Sequence, residues 1–290
     1  MRIAVTGAGG QLGRELLGVI RAAGHEALAA DHRRCDIAEP GGARRLVEEG
    51  RPDALVNCAA WNDVDGAESR PDDAFRVNAV GPRLLAAACH AAGVRLCHIS
   101  TDFVFDGEGT EPLDEWTPTR PLSVYGSSKL AGEGEVRSLC ADHRIVRTAW
   151  LFGQDGPNFV LTMLRLASTR PELRVVADQH GSPTWTGHLA PALLRLLEID
   201  IPGTYHLTGG GGASRHQLAA AAIEAAGLPT TVIPVGSDEF PLPARRPAHG
   251  VLDNRAWRLL GEPPLPPWRK GVRAYVSALG AAGRLATGAP

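Results

Sequence analysis

The first half of the chain alternates short apolar runs with amphipathic helical patterns. Runs rich in Val, Ile, Leu and Ala predict buried strands, and apolar residues spaced as Leu12, Leu16 and Ile20 predict helices. The predicted strands are 3–5, 25–30, 54–58, 94–100 and 145–149. The predicted helices are 11–23, 40–50, 72–92 (interrupted near Gly81-Pro82) and 123–139. This order predicts an α/β fold, a Rossmann-type doubly wound parallel sheet.

The second half is less regular. It predicts helices at 159–169, 187–197 and 216–226, strands at 173–176 and 203–207, and a frayed tail at 281–290. We predict a dinucleotide-binding domain over 1–150, rejoined by about 185–235. A smaller C-terminal substrate-binding domain would comprise 151–184 and 236–290.

Composition narrows the class of protein. The 290 residues are 44% hydrophobic and 21% charged, which is typical of a globular protein. The net charge of −2 gives no basic field for nucleic acid, and no apolar run reaches the roughly 18 residues of a membrane span. The start lacks the apolar stretch of a signal peptide, and five cysteines without a Cys-x-x-Cys pair indicate reduced thiols. We therefore expect a cytoplasmic protein that binds neither nucleic acid nor membrane.

A glycine-rich turn links the first predicted strand to the first helix. Gly7, Gly10 and Gly13 permit positive φ and close approach of a ligand, with Gln11 and Leu12 between them. The helix start offers unpaired N–H groups to an anion. The alternative is a purely structural turn, but the strand before and the helix after favour dinucleotide binding.

The segment after the second strand should contact the adenosine ribose. Asp31 suggests NAD, whereas Arg33 and Arg34 suggest the 2′-phosphate of NADP, and the two arginines could equally lie in a solvated loop. Asp36-Ile37 could hold the adenine edge, or Asp36 could cap the helix near Pro40. The choice between the two cofactors stays open here.

Tyr125 and Lys129 form the candidate catalytic pair. The chain has three tyrosines and two lysines, and these two are four residues apart in a predicted helix, which places them on one face. A nearby ammonium favours phenolate, so we expect Lys129 to lower the pKa of Tyr125. Thr101 ends a predicted strand, where its hydroxyl could orient a substrate carbonyl, or simply make a strand-end hydrogen bond. These are the groups that a carbonyl reductase needs.

The chain resembles the dTDP-4-dehydrorhamnose reductases, within the extended short-chain dehydrogenase/reductases. Beyond Gly-x-x-Gly-x-x-Gly and Tyr-x-x-x-Lys, longer strings are similar to the family in the same order, and the resemblance covers about 1–275. The strings, with Asn78, are 57–61, 64–68, 100–107, 121–126, 147–153, 158–159, 178–184 and 246–247.

The resemblance implies a reaction in deoxysugar biosynthesis: NADPH, with NADH as the alternative, reduces the C4 ketone of a dTDP-4-keto-6-deoxyhexose. It implies that Tyr125 donates the proton, that Lys129 assists while holding the nicotinamide ribose, and that Thr101 hydrogen-bonds the C4 oxygen. Ala59, Ala60 and Asn78 would lie along the cofactor. The implied substrate site comprises Thr101, Asp102, Phe103, Val104, Phe105, Trp150, Asn158 and Arg246, the last nearer the phosphates. Trp150 could instead be a core aromatic.

Departures from the family pattern leave the sugar open. Phe103 and His180 stand where tyrosine is common, and Trp61-Asn62 replaces His-Thr or Tyr-Thr. Some members bind Mg²⁺ through glutamates at a dimer contact. Glu15 matches one such position, so a homodimer stays open, but we predict no metal.

Two other functions compete with the reductase. One is a non-catalytic regulatory subunit, which would have no need of the Tyr-Lys pair. The other is an epimerase or dehydratase of the same superfamily. A dehydratase would need an acid–base pair beside Thr101, whereas Asp102 is followed by Phe103 rather than by a glutamate.

Overall fold

A six-stranded parallel sheet forms the centre of the fold. This computed structural model describes residues 1–284. In spatial order the strands are β10 (Gly203–His206), β5 (His143–Thr148), β4 (Arg95–Thr101), β3 (Ala54–Asn57), β1 (Arg2–Thr6) and β2 (Glu26–Ala30). All five neighbouring pairs are parallel. The predicted α/β fold is confirmed, and the strand order reverses between β1 and β3, where open sheets of this kind bind ligands.

The helices of the first half follow the predicted pattern with two differences. They are α1 (Gln11–Ala22), α2 (Gly42–Gly50), α3 (Val64–Ser69), α4 (Pro71–Phe75), α5 (Gly81–Ala92) and α6 (Val124–Leu139). The helix predicted at 72–92 is α4, a π-helical turn (Arg76–Val80) and α5 in succession. Helix α3 was not predicted, because its six residues are too short to show a helical period.

The second half adds helices and three small sheets. Its helices are α7 (Phe159–Ala167), α8 (Thr186–Glu198), α9 (Arg215–Ala225), α10 (Arg255–Leu259) and α11 (Trp268–Ala281). The small sheets are β11-β8-β13 (Ala213–Ser214, His180–Gly181, His249–Gly250), β12-β7 (Thr231–Val235, Glu172–Val176) and β6-β9 (Leu151–Phe152, Thr184–Trp185). The division of the chain into two domains stays a prediction.

Apolar side chains cover both faces of the large sheet. One face packs against α1 and α8 through residues such as Leu16, Ile20 and Leu193. The other face packs against α2, α5 and α6 through residues such as Leu85 and Val136. Each such fully buried side chain contributes roughly 1.5–3 kcal/mol of hydrophobic free energy. The two layers hold the strand ends in fixed positions.

The sequence reading missed helix α11, because the prolines before it suggested irregular chain. Pro267 instead is its N-cap, and Val272, Tyr275 and Leu279 bury one face. The helix ends at Ala281, and the predicted tail beyond residue 284 lies outside the described residues. Within residues 1–284, no helix is both long and apolar enough to cross a bilayer.

Candidate active site

A buried polar ladder aligns the three strands that carry the site. Thr6 Oγ1 donates to Asn57 Oδ1 at 2.6 Å, and Asn57 Nδ2 lies 2.9 Å from His98 Nδ1. Burial, reinforced by the charge of Lys129, lowers the pKa of His98 well below its ordinary value, so the imidazole is neutral and can accept this hydrogen bond. The ladder therefore fixes the ends of β1, β3 and β4 relative to one another.

Two positions of the glycine turn, Gly7 and Gly13, leave no room for a side chain. Gly7 has φ +64°, and a Cβ on it would lie 2.6 Å from the Ala59 nitrogen. A Cβ on Gly13 would lie 2.3 Å from the Gly7 oxygen. Gly10 caps α1 without a side-chain hydrogen bond, so N–H groups of the first turn stay available to an anion. This cradle fits the pyrophosphate of a dinucleotide.

Two cavities adjoin above the carboxyl ends of the strands. The inner cavity, of about 420 Å³, is lined by 22 residues: Gly7, Gly10, Gln11, Leu12, Gly13, Cys58, Ala60, Asn62, Val64, Ile99, Ser100, Thr101, Asp102, Phe103, Tyr125, Lys129, Thr148, Ala149, Trp150, Leu151, Arg215 and Arg246. The outer cavity, of about 650 Å³, shares five of them and adds Gly9, Asp31, His32, Arg33, Cys35, Asp36, Ile37, Ala59, Arg76 and Val77. Together the two cavities form one cleft along the strand ends.

The candidate catalytic side chains meet in the inner cavity. Tyr125 and Lys129 are one turn apart on α6, whose start is fixed by Ser123, since its hydroxyl accepts from the Gly126 nitrogen at 3.1 Å. Thr101 faces them from the end of β4. All three are buried, with Tyr125 8% and Lys129 2% exposed. Tyr125 and Lys129, four residues apart in the sequence, therefore line the same cavity.

The pKa of Tyr125 is raised in the structure, whereas we expected Lys129 to lower it. The Lys129 ammonium donates to the Ile99 carbonyl oxygen at 2.7 Å. Burial raises the pKa of Tyr125, opposed by a hydrogen bond from Thr101, so the phenol stays protonated at neutral pH. Burial also lowers the pKa of Lys129 to about 8, although Glu133 opposes this. A protonated phenol is the form that can donate a proton.

Asp102 is a buried acid beside this group. The Thr101 hydroxyl donates to Asp102 Oδ1 at 3.0 Å, and Thr101 Oγ1 itself accepts from the Phe103 nitrogen at 3.2 Å. Burial raises the pKa of Asp102 to about 6, while the Thr101 hydrogen bond and the charge of Arg215 lower it. The carboxylate therefore orients the Thr101 hydroxyl.

A buried ion pair behind α6 was missed by sequence reasoning. Glu133, fully buried, accepts from Ser100 Oγ at 2.6 Å and from Arg147 at 2.9 and 2.7 Å. Burial opposes ionisation, yet the hydrogen bonds and charge of Arg147 hold the pKa of Glu133 below its ordinary value. Glu133 lies one turn after Lys129, and Ser100 directly precedes Thr101. The only sequence feature that pointed to Glu133 was its position four residues after Lys129.

Five of the eight predicted substrate contacts line the inner cavity, and three do not. Phe103 and Trp150 line it, and Phe103 packs edge-on against the Tyr125 ring at 5.4 Å between centroids. Val104 and Phe105 are instead buried in a core cluster, because the 3-10 turn after Thr101 directs them inward. Asn158 caps α7 through Leu161 N and donates to Gly153, Gln11 and Tyr275, so its side chain is fully engaged elsewhere. The structure therefore gives these last three side chains other contacts, and their roles as substrate contacts stay predictions.

The predicted phosphate contact of Arg246 is also altered by the structure. Arg246 lines the cavity, but its Nη1 and Nη2 donate to Asp65 at 3.1 and 2.7 Å, so its fork is occupied. Arg215, which the sequence reading overlooked, lines the same cavity with its guanidinium 3.6 Å from the Trp150 ring centroid. Trp150 itself has φ +47°, and Gly181 leaves the space for its indole.

The outer cavity is lined by both Asp31, which suggested NAD, and Arg33, which suggested NADP. Asp31 Oδ1 accepts from the nitrogens of Arg33 and Arg34 at 3.1 Å each, which closes a tight turn. Arg33 lines the cavity, whereas Arg34 turns away to donate to the Ala29 oxygen. Asp36 and Ile37 also line it. The alternative that Asp36 caps the next helix is wrong, because Gly41 is the N-cap of α2.

Asn78 supports the cavity wall without lining it. It exchanges hydrogen bonds with the backbone of Trp61 at 2.8 and 3.1 Å and donates to Ser128 Oγ at 3.0 Å. It thereby ties the loop after β3 to α6, while Ala59 and Ala60 line the cleft themselves.

Two of the departures from the family pattern, Asn62 and Phe103, lie in the inner cavity. Trp61 and His180 line neither cavity. In the described part of the chain, no three His, Cys, Asp or Glu side chains are grouped to hold a metal ion.

Comparison with known proteins identifies the family of this chain. The model of the RmlD substrate binding domain matches residues 1–280. A dTDP-4-dehydrorhamnose reductase of Mycolicibacterium smegmatis is 45% identical over 96% of this chain and 86% of its own. A crystal structure of the Clostridium acetobutylicum dTDP-4-dehydrorhamnose reductase superposes with TM-score 0.94 at 40% identity, covering 97% of this chain and all of that one. The Bacillus anthracis reductase, solved with NADP, gives TM-score 0.93 at 37% identity, covering 96% and 99%.

Proposed function

Because the chain belongs to the RmlD substrate-binding-domain family, we propose that it is an NAD(P)H-dependent nucleotide-sugar 4-ketoreductase. Its reaction is reduction of the C4 ketone of a dTDP-4-keto-6-deoxyhexose in deoxysugar biosynthesis. One observation carries the proposal: Thr101, Tyr125 and Lys129 line a single buried cavity that reaches the glycine cradle at Gly7.

The cleft has a place for each part of the cofactor. The turn at Gly7, Gly10 and Gly13 would hold the pyrophosphate, Asp31 and Arg33 the adenosine ribose, and Lys129 the nicotinamide ribose. When bound, a reduced nicotinamide supplies a hydride to carbon C4. Arg33 at the cavity favours NADPH, since a guanidinium suits a 2′-phosphate.

Thr101 and Tyr125 act on the C4 oxygen. In the substrate complex the Thr101 hydroxyl turns from Asp102 and donates to that oxygen, which it orients, and Tyr125 transfers its phenolic proton as negative charge develops there. The raised pKa of Tyr125 suits this direction, because the phenol carries its proton at neutral pH. The product is an alcohol at C4, with the new hydrogen on carbon and the tyrosine proton on oxygen.

Lys129 stabilises the phenolate that remains after this transfer. Its ammonium is held at the Ile99 carbonyl, one turn from Tyr125, and Glu133 adds a favourable charge beside it. Water from the inner cavity can then reprotonate Tyr125 for the next turnover.

An absorbance assay tests the reaction. The protein is mixed with NADPH and dTDP-4-dehydrorhamnose or another dTDP-4-keto-6-deoxysugar, and loss of reduced cofactor is followed at 340 nm. We expect turnover on the order of 1–10³ s⁻¹ with the correct sugar. No oxidation with any such sugar, by a folded protein that binds NADPH, would contradict the proposal.

A further inference from the structure

Arg215 stacks on two aromatic rings at the edge of the inner cavity. It is the first residue of α9, with its guanidinium carbon 3.6 Å from the Trp150 ring centroid and 5.2 Å from that of Phe159. The two aromatic rings support the flat group, as arginine stacking does elsewhere. Because stacking uses the face of a guanidinium, its N–H edges stay free to donate in the cavity that Arg215 lines.

The charge of Arg215 lacks a direct partner. Among residues 1–284, no side chain makes an ion pair or a hydrogen bond with its guanidinium, and its charged neighbours are Asp102 and Arg246. Burial lowers the pKa of Arg215 to about 10, which still leaves it a cation at neutral pH. The positive end of α9 adds repulsion at this position. An anion in the cavity would offset the burial of the Arg215 charge, its repulsion by Arg246 and its repulsion by the positive end of α9.

Arg246 shows the contrast within the same cavity. Both of its terminal nitrogens donate to the Asp65 carboxylate, at 3.1 and 2.7 Å, and that pairing holds the pKa of Asp65 below its ordinary value. Its charge is therefore already balanced by the protein. Of the two arginines that line the inner cavity, Arg215 is the one with donors to spare.

We propose that Arg215, stacked on Trp150 and Phe159, holds the diphosphate of the nucleotide-linked sugar. This inference rests on the proposed function, because that substrate carries its negative charge on the diphosphate. A planar fork of N–H donors matches two phosphate oxygens, whereas a neutral sugar would leave the cation unbalanced. Arg215 thus takes the role that the sequence reading gave to Arg246.

Binding of dTDP alone tests the site without turnover. Calorimetry in the presence of NADP⁺ would compare the protein with Arg215→Gln and Arg215→Lys. We expect Arg215→Gln to weaken dTDP binding roughly 10- to 100-fold, the usual range for charge-assisted hydrogen bonds. Arg215→Lys should retain part of the affinity, because it keeps the charge and loses the fork. NADPH affinity should not change in either variant.

Arg269→Gln is the matched control, since Arg269 also stacks on a tryptophan, Trp268, at 4.5 Å but lies outside both cavities. Equal dTDP affinity of the protein and a folded Arg215→Gln variant would overturn the inference, as would absence of dTDP binding to the unaltered protein. If dTDP binds through Arg215 but no dTDP-4-keto sugar is reduced, the proposed reaction fails and the binding site stands. If Arg215→Gln changes neither kcat nor KM, the proposed reaction stands and the diphosphate contact of Arg215 is refuted.

Discussion

The inner and outer cavities of one cleft are held in place by different means. Around the inner cavity, Tyr125 and Lys129 are buried, and the Glu133–Arg147 ion pair lies directly behind them. In the outer cavity, Asp31 and Arg33 lie on an exposed turn that closes on its own backbone. Buried polar groups tolerate few alternatives, because each lost partner costs the full desolvation of a group. We therefore expect substitutions to cost rate in the inner cavity and to change cofactor preference in the outer one.

The largest effect is expected from Tyr125→Phe. The phenol is the proposed proton donor, so its removal should lower kcat by about 10²-fold or more, the scale of a positioned acid. The absorbance assay under saturating substrate measures this. Tyr205→Phe is the control, because the Tyr205 hydroxyl donates to the Ile201 carbonyl away from the cleft. Near-normal kcat for Tyr125→Phe would remove Tyr125 from its role.

Lys129→Met is expected to have the next largest effect. It should lower kcat by roughly 10²-fold, because one preorganised donor is lost. The chain offers a natural control in Lys270→Met, since Lys270 lies outside both cavities. In the unaltered protein, the charged form of Lys129 is lost as pH rises through its pKa of about 8. Activity should therefore fall above about pH 8, and a profile flat to pH 10 would contradict this.

Glu133→Gln tests the support behind the catalytic pair. Breaking a buried ion pair costs about 3–5 kcal/mol of unfolding free energy, because Arg147 would keep an unbalanced charge. Glu133 opposes the burial that lowers the pKa of Lys129, so its loss should move the alkaline limb of the rate profile to lower pH.

Denaturant unfolding and a pH–rate profile measure the two effects of Glu133→Gln. Glu135→Gln, on the same helix as Glu133, is the control, because it breaks a partly exposed ion pair with Arg83. An unshifted alkaline limb would show that Glu133 has a structural role only.

Arg33→Ser should give the smallest effect, confined to the outer cavity. KM for NADPH should rise about tenfold through loss of one exposed charge-assisted contact, while KM for NADH stays nearly constant. Arg34→Ser is the matched control, because Arg34 points to the Ala29 oxygen instead. Steady-state assays with both cofactors measure the ratio, and equal effects of the two substitutions would exclude Arg33 as the 2′-phosphate contact.

Sequence patterns located the inner cavity well because its chemistry depends on local spacing. The glycines at 7, 10 and 13 and the Tyr125–Lys129 interval lie within single turns, whose geometry is known in advance. The pairing of Arg246 with Asp65 joins residues 181 positions apart, and the stacking of Arg215 on Trp150 joins two segments of the second half. Neither contact leaves a periodic signal.

Burial explains the error about Tyr125. The expectation that Lys129 lowers its pKa considered one neighbour and ignored desolvation, which is the larger effect in a buried cavity. The same limit applies to Val104 and Phe105. The family resemblance implied that both contact the substrate, but the turn after Thr101 buries both side chains.

The fate of the transferred hydrogen tests direct reduction of the C4 ketone most directly. NADPH carrying deuterium at nicotinamide C4, on the transferred side, is incubated with the protein and a dTDP-4-keto-6-deoxysugar, and the product is read by NMR. We expect one deuterium, bonded to sugar carbon C4, with one configuration at that carbon, and almost no labelled product from Tyr125→Phe in the same time. Product without deuterium at C4, or with it at another carbon, would contradict direct reduction of the C4 ketone.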